Sequence, residues 1–208
     1  VNQILDIAKI SSGGAAKPSL KRGDVIGFIT MICESHLKYA ERKDLRIAYG
    51  FDAERFDMDF IPSYMIRIVQ NLLSNAIKFS YPGSDILVSV KLIDSDGGKA
   101  LQLYVCDTGI GMTKEQKDKI FTPFYQAHDD TDNIGSGVGL SLVKLTAEAM
   151  GGSVEVHSHP SEGSVFIVTL PVVDGGADVE PIDDAECSID FVEMFNAFEL
   201  EDHENENS

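Results

Sequence analysis

Three groups of residues in this 208-residue chain have types and spacing suited to chemistry. The first is Asp107-Thr108-Gly109-Ile110-Gly111-Met112, preceded by Leu101–Cys106, whose aromatic and β-branched content predicts a strand running into a tight turn. A carboxylate at a strand end accepts a hydrogen bond from an exocyclic amine, and two glycines let the backbone pass close to a flat ring. The second is Gly135-Ser136-Gly137-Val138-Gly139-Leu140, followed by helical spacing through Met150. A glycine-rich loop entering a helix presents free N–H groups and the positive end of the helix dipole, which suits phosphate. The third is Asn71, Asn75 and Lys78, at i, i+4 and i+7 on one helical face, with Leu72, Leu73, Ala76 and Phe79 around the other. Asparagines are poor helix formers. Amide oxygens and an ammonium on one stripe make a site for a magnesium ion and the phosphates it bridges.

Singly, each group has a plain alternative: a turn between strand and helix, or a chance glycine repeat. Their order carries more. Asn71–Phe79, Asp107–Met112, Phe121-Thr122-Pro123-Phe124 and Gly135–Leu140 resemble the N, G1, F and G2 boxes of the catalytic ATP-binding domain of sensor histidine kinases. That domain belongs to a superfamily shared with gyrase B-subunit, heat-shock chaperone and mismatch-repair ATPases, and the similarity runs from about Leu20 to Pro171.

The resemblance implies ATP and Mg2+ as ligands. It assigns Asp107 to the adenine amine, with Gly109 and Gly111 clearing the ring. Asn75 and Asn71 become magnesium ligands, and Lys78 neutralises phosphate. Gly135, Gly137 and Gly139 let a lid bend and bring backbone donors to the phosphates, and Phe124, Val138 and Leu140 join the nucleotide site. The acceptor is a histidine on a dimerisation and phosphoacceptor domain of the same or paired protomer. The implied partners are that domain and the receiver domain of a response regulator, within a homodimeric parent. Two departures stand out: the lid segment Tyr125–Ile134 has Asp129, Asp130 and Asp132 with no Lys or Arg, and Ser136 stands where threonine is common. In the hydrolytic ATPase branch a glutamate commonly precedes the magnesium asparagine by four residues; here that position is Asn71. A gyrase-type ATPase and a domain that binds without chemistry are the competing readings.

The elements that must position these residues follow from periodicity. A helix from Val25 to about Glu41 starts at Asp24 as N-cap, with Val25, Ile29, Ile32 and His36 inward. Leu45–Phe51 and Arg55–Phe60 read as a hairpin, Pro62 opens a helix ending near Phe79, and Asp85–Ile93 and Ala100–Cys106 read as strands. Met112–Ile120 predicts a short polar helix, and the rings of Phe121 and Phe124 are expected to bury at the base of the lid. A helix from about Gly137 to Met150 and a last hairpin, Ser153–Ser158 with Ser164–Leu170, complete the domain. The expected class is α+β, a two-layer α/β sandwich: a mixed, mostly antiparallel sheet with helices on one face. That is also the Bergerat (GHKL) ATP-binding fold implied by the resemblance.

Domain limits follow composition. Residues 1–13, with Val1–Ile10 helical and Ser11-Ser12-Gly13-Gly14 stopping them, resemble the end of a dimerisation and phosphoacceptor helix. Residues 14–173 form the catalytic domain, with Ala15–Arg22 as linker. Residues 174–208 form an acidic tail, expected to be mostly disordered, with one apolar island at Phe191, Met194, Phe195 and Phe198. The tail holds thirteen of the 34 acids and no Lys or Arg, so it carries most of the −17 net charge. An acidic chain repels phosphate backbones, which excludes direct nucleic-acid binding as an expectation. Glu34-Ser35-His36-Leu37-Lys38 superficially resembles a phosphoacceptor box but lacks its following acid and proline, so His36 reads as structural. Cys33, Cys106 and Cys187 form no paired motif and fit a reducing, cytoplasmic setting. Starting at Val1, the chain reads as a piece of a longer protein, whose parent is left open between membrane-anchored and cytoplasmic forms.

Overall fold

The computed structural model describes residues 19–95, 97–127, 137–174 and 178–182. The helices expected at Val1–Ile10 and at the Phe191–Phe198 island lie outside these residues, as do Asp129, Asp130, Asp132, Gly135 and Ser136.

The order is β1 (Lys21–Asp24), α1 (Val25–Ser35), α2 (Leu37–Arg42), β2 (Arg46–Phe51), β3 (Asp57–Phe60) and α3 (Pro62–Phe79). Then follow β4 (Asp85–Ser95), β5 (Gly98–Asp107), α4 (Lys114–Lys117), α5 (Gly139–Ala149), β6 (Ser153–His159) and β7 (Gly163–Pro171). Five strands form one sheet in the order β2-β4-β5-β7-β6, in which β2–β4 is parallel and the other pairs antiparallel. The expected α+β sandwich with a mostly antiparallel sheet is what the chain forms. Its centre is α3, whose Met65, Ile68, Val69, Leu72, Leu73 and Ala76 are buried as the 3.6 periodicity requires. They pack against Ile86, Val88 and Val90 of β4, Leu101, Leu103 and Val105 of β5, and Phe166 and Val168 of β7.

The hairpin expected from Leu45–Phe51 and Arg55–Phe60 does not form. β2 pairs in parallel with β4, from Arg46↔Asp85 to Phe51↔Val90, with β3 and α3 making up the crossover. β3 instead pairs with β1 in a separate two-stranded sheet, with Arg22 opposite Asp59. Charge explains the choice: buried Asp59 accepts from Arg22 Nε at 2.8 Å and from Nη2 at 3.1 Å. A buried carboxylate needs such a partner, and β2 has only Arg46, which bonds Asp85 instead.

The helix expected from Val25 to Glu41 is interrupted at His36. The carbonyl of Ile32, to which an unbroken helix would bond the His36 N–H, accepts from Ser35 Oγ at 2.6 Å and from His36 Nδ1 at 3.0 Å. The His36 N–H turns to Cys33 O instead. Side-chain competition of this kind breaks helices. His36 is 4% exposed, and burial lowers its pKa, so the ring is a neutral core group.

Beyond β7, the Asp59 N–H donates to Val173 O at 3.3 Å. Residues 178–182 lie alongside β1, past the domain end placed at Val173, and Ile182 packs on the core. β1 also takes Lys21 and Arg22 out of the expected linker.

Within α5, Thr146 Oγ1 is buried and has no hydrogen-bond partner among the described residues. A buried unsatisfied hydroxyl costs about 1–3 kcal/mol. Thr146→Val is therefore expected to raise stability by about 1 kcal/mol, read as a higher urea midpoint at unchanged m-value. An unchanged or lower midpoint would show that the hydroxyl is satisfied.

Candidate functional site

Asp107 ends β5 and is 8% exposed. Its Oδ1 accepts from the N–H of Gly109 at 3.0 Å and of Ser164 at 3.2 Å. Burial pushes its pKa up to about 6, and the bonds from Gly109 and Ser164 only partly oppose this. A carboxylate oriented by backbone donors, in a partly desolvated position, is suited to reading a weakly acidic N–H.

The register of the sheet supplies what motif reading missed. Ser164 of β7 sits opposite Asp107 of β5, and Ser158 of β6 opposite Ser164. Ser158 Oγ donates to Gly163 O at 2.7 Å and lies 3.1 Å from Ser164 Oγ, with both serines buried. The Ser164 side chain also favours the charged form of Asp107, opposing the effect of burial. Two serines six residues apart across a tight turn carry no signal until the partner of β7 is known.

The glycines of the first box prove to be constrained by the chain itself. A Cβ on Gly109 would stand 1.9 Å from Phe79 O, at the end of α3. The two segments meet there in a bridge between Ser80 and Gly109, and the Ile110 N–H donates to Phe79 O at 3.1 Å. Gly111 has φ +61, and its Cβ would stand 1.8 Å from His159 O in the β6–β7 turn. The Ser161 N–H donates to Ile110 O at 2.7 Å, locking turn and loop together.

At the other end of the polar stripe, α3 meets the start of α5. Asn71 Nδ2 donates to Arg67 O at 2.7 Å, and Asn71 Oδ1 is 2.6 Å from where a Cβ on Gly139 would lie. Gly139 opens α5, whose N-cap residue Val138 makes no side-chain cap bond. Among the described residues no N-cap side chain occupies the first-turn N–H groups, the end of a helix that suits an anion. Asn75 and Lys78, both half-buried, continue the face towards Phe79, and Lys78 Nζ lies 5.2 Å from the Phe79 ring centroid. From Asn71 to Phe79 is about 12 Å of helix, so α3 links the end near Asp107 to the end near α5.

Val138 is buried, and its carbonyl accepts from Ser141 Oγ at 2.8 Å, while Leu140 packs partly against the core. Gly137 (φ +68) accepts from the Phe124 N–H at 2.9 Å, bridging the third and fourth boxes. The expected burial of the Phe124 ring is not met: Phe124 is 62% exposed and sits at φ +66, in the left-handed region. Phe121 does pack on the core. Thr113 and Gln116 form a capping box on α4, and Gln116 Nε2 reaches Ala127 O at 3.1 Å, fixing one root of the loop that follows. His157 and His159 take no part in a metal cluster, and no group of three His, Cys, Asp or Glu residues suited to an ion occurs among the described residues.

Comparison with known proteins shows the family and the fold. Residues 61–174 match the family described as histidine kinase-, DNA gyrase B-, and HSP90-like ATPase. The chain is 37% identical over 142 residues to the sensor histidine kinase AtsR of Burkholderia thailandensis, covering 67% of this chain and 23% of that protein. It is 32% identical over 194 residues to an uncharacterised sensor-like histidine kinase of Rhizobium meliloti, covering 92% and 36%. The chain thus spans well under half the length of these relatives. Among solved structures, full-length ShkA in complex with AMPPNP superposes with a TM-score of 0.71 at 29% identity, covering 85% of this chain and 36% of that one. The catalytic domain of histidine kinase ThkA, at 19% identity, shares the fold with a TM-score of 0.65 over 75% of this chain and 99% of its own. The chain belongs to the histidine kinase-, gyrase B- and HSP90-like ATPase family, and its domain is the catalytic ATP-binding domain of a sensor histidine kinase.

Proposed function

We propose that this domain binds ATP with Mg2+ between α3 and α5 and transfers the γ-phosphoryl group to a histidine presented by a separate dimerisation domain. The observation that carries the proposal is the meeting of Asn71 with Gly139 at the uncapped start of α5, at the opposite end of the α3 face from Asp107. Asp107 accepts from the adenine amine while Gly109 and Ser164 hold its other lone pairs. The α5 N-terminus and Lys78 offset phosphate charge, with Gly135, Gly137 and Gly139 bringing backbone donors. The residues present fit a magnesium ion: Asn75 and Asn71 offer oxygens on one face, and the bound ion would neutralise charge on the phosphate oxygens.

In transfer, a neutral imidazole nitrogen forms the bond to the γ-phosphorus as the bond to the bridging oxygen of ADP breaks. The domain contributes positioning and charge stabilisation. Hydrolysis would need a base within reach of water, and the position four residues before Asn75 is Asn71, whose amide takes no proton near neutral pH. His36 is buried and bonded, so the acceptor is another histidine. A response-regulator receiver domain downstream and a homodimeric parent complete the proposed phosphorelay. Among the described residues no helix is long and apolar enough to cross a membrane, and use of ATP places the domain on the cytoplasmic side of any membrane-anchored parent.

Radiolabel from γ-labelled ATP should pass to a supplied histidine domain as an acid-labile, base-stable phosphohistidine. The chain alone should neither label itself nor release phosphate appreciably. Rapid phosphate release without transfer to any supplied histidine domain would favour the ATPase reading and sink this one.

A further inference from the structure

The segment at residues 178–182 lies outside the span of the family match, which ends at Asp174. It runs parallel to β1, with Pro181 opposite Arg22. The Arg22 N–H donates to Glu180 O and the Ile182 N–H donates to Arg22 O, each at 2.9 Å. This pattern leaves the nitrogen of residue 181 facing away from β1, the one position in the trio where proline forfeits no ladder bond. The proline also denies a further strand a donor on that outer edge.

The side chains match the strand as closely as the backbone does. Lys21 Nζ bonds Glu180 Oε2 at 2.8 Å, with the lysine nearly buried. Gly23 does not need glycine for its backbone angles, because it has no positive φ. It needs glycine for Ile182: a Cβ there would lie 2.6 Å from Ile182 Cγ2. Arg22 is held from below by Asp59 and from the outgoing chain by Asp174, so the strand stays in place beneath the segment.

We propose that the outer edge of β1 is a peptide-docking site for an acid–proline–β-branched segment, and that Glu180-Pro181-Ile182 fills it in cis. Recognition is by strand addition: backbone bonds hold the peptide, and the Lys21 ammonium and the notch at Gly23 select its side chains. Three residues make a weak ligand, but attachment through a short connection keeps the local concentration in the millimolar range, which suffices for occupancy.

The test reads the Arg22 amide, whose acceptor in the docked arrangement is Glu180 O. In the full chain it should exchange with solvent at least about tenfold more slowly than in full-length Ile182→Asp or Gly23→Val. Both variants keep the large sheet intact, so their other amides serve as internal controls. In a labelled chain ending at Asp174, a synthetic peptide of residues 176–186 at millimolar concentration should shift the Arg22 and Gly23 resonances saturably. The same titration of a chain that also carries Gly23→Val should leave them unmoved. Equal Arg22 exchange in the full chain and the Ile182→Asp chain, or no shift at Arg22 on adding peptide, overturns the proposal. Neither readout depends on nucleotide.

Discussion

Asp107→Asn is expected to weaken ATP binding by about 100-fold or more, through loss of a charged hydrogen bond worth about 1.5–3 kcal/mol and the donor that replaces it. The asparagine would keep its carbonyl oxygen for the N–H groups of Gly109 and Ser164. Its NH2 would then point where the aspartate presents an acceptor, opposing the adenine amine donor to donor. A base with a carbonyl at that position, as in inosine triphosphate, meets a complementary donor, so the preference for ATP over ITP should shrink or reverse. Calorimetric titration of both nucleotides against both proteins reads this. Unchanged ATP affinity would leave Asp107 a turn residue.

The same substitution should stabilise the empty domain. The pKa of Asp107 is raised from 3.8 to about 6 on folding, so the folded form binds the proton more tightly. Its contribution to stability is fully present below 3.8 and is lost as pH rises through about 6. At about 1.4 kcal/mol per unit, the ionised carboxylate costs the empty fold on the order of 2–3 kcal/mol at neutral pH. Asparagine removes the charge and keeps the acceptor. Binding should show the opposite sign: ATP affinity should fall roughly tenfold per pH unit below about 6 in the parent, and lose this dependence in Asp107→Asn.

Gly111→Ala should cost about 3–5 kcal/mol, from a left-handed backbone angle combined with overlap in a packed loop. Its Cβ would stand 1.8 Å from His159 O, an atom fixed by the β6–β7 turn. Gly83→Ala is the control, because Gly83 also has positive φ (+81) yet its Cβ would find only Asp44 Oδ2 at 3.7 Å. That change should cost about 1–2 kcal/mol, the price of the backbone angle alone. Urea unfolding without nucleotide distinguishes two roles for Gly111. A glycine needed only to clear a bound ring would leave the empty protein as stable as the parent.

The sequence patterns that survived contact with the structure are local ones. The i, i+4, i+7 stripe of Asn71, Asn75 and Lys78 and the apolar face behind it follow from helix geometry alone, and α3 forms as expected. The strand leading into Asp107 and the last hairpin were equally legible. What failed needed a partner from elsewhere in the chain. β2 and β3 look like a hairpin until β4 offers a parallel edge and Arg22 claims Asp59. Ser158 and Ser164 become part of the Asp107 site only through the register of β6, β7 and β5. Phe124 reads as an anchor because it is apolar, but its backbone is left-handed and its ring is exposed. Glu180 and Ile182 read as parts of an acidic tail, and it took Lys21 and Gly23 to single them out.

The parallel run of residues 180–182 beside Arg22 has a geometric consequence for whatever flanks this domain. The described chain departs at the edge where it arrives, with one strand spacing of about 4.8 Å between its incoming and outgoing backbones. Because the run is parallel, residues 19 and 182 sit at opposite ends of the pair, about 13 Å apart along the strands, and flexible connections would hold flanking segments at millimolar effective concentration. An encounter between two such segments is thereby favoured without any contact evolved for it. Loosening one pair of backbone hydrogen bonds at Arg22 would lengthen the tether and dilute that encounter, leaving the nucleotide end of the fold untouched.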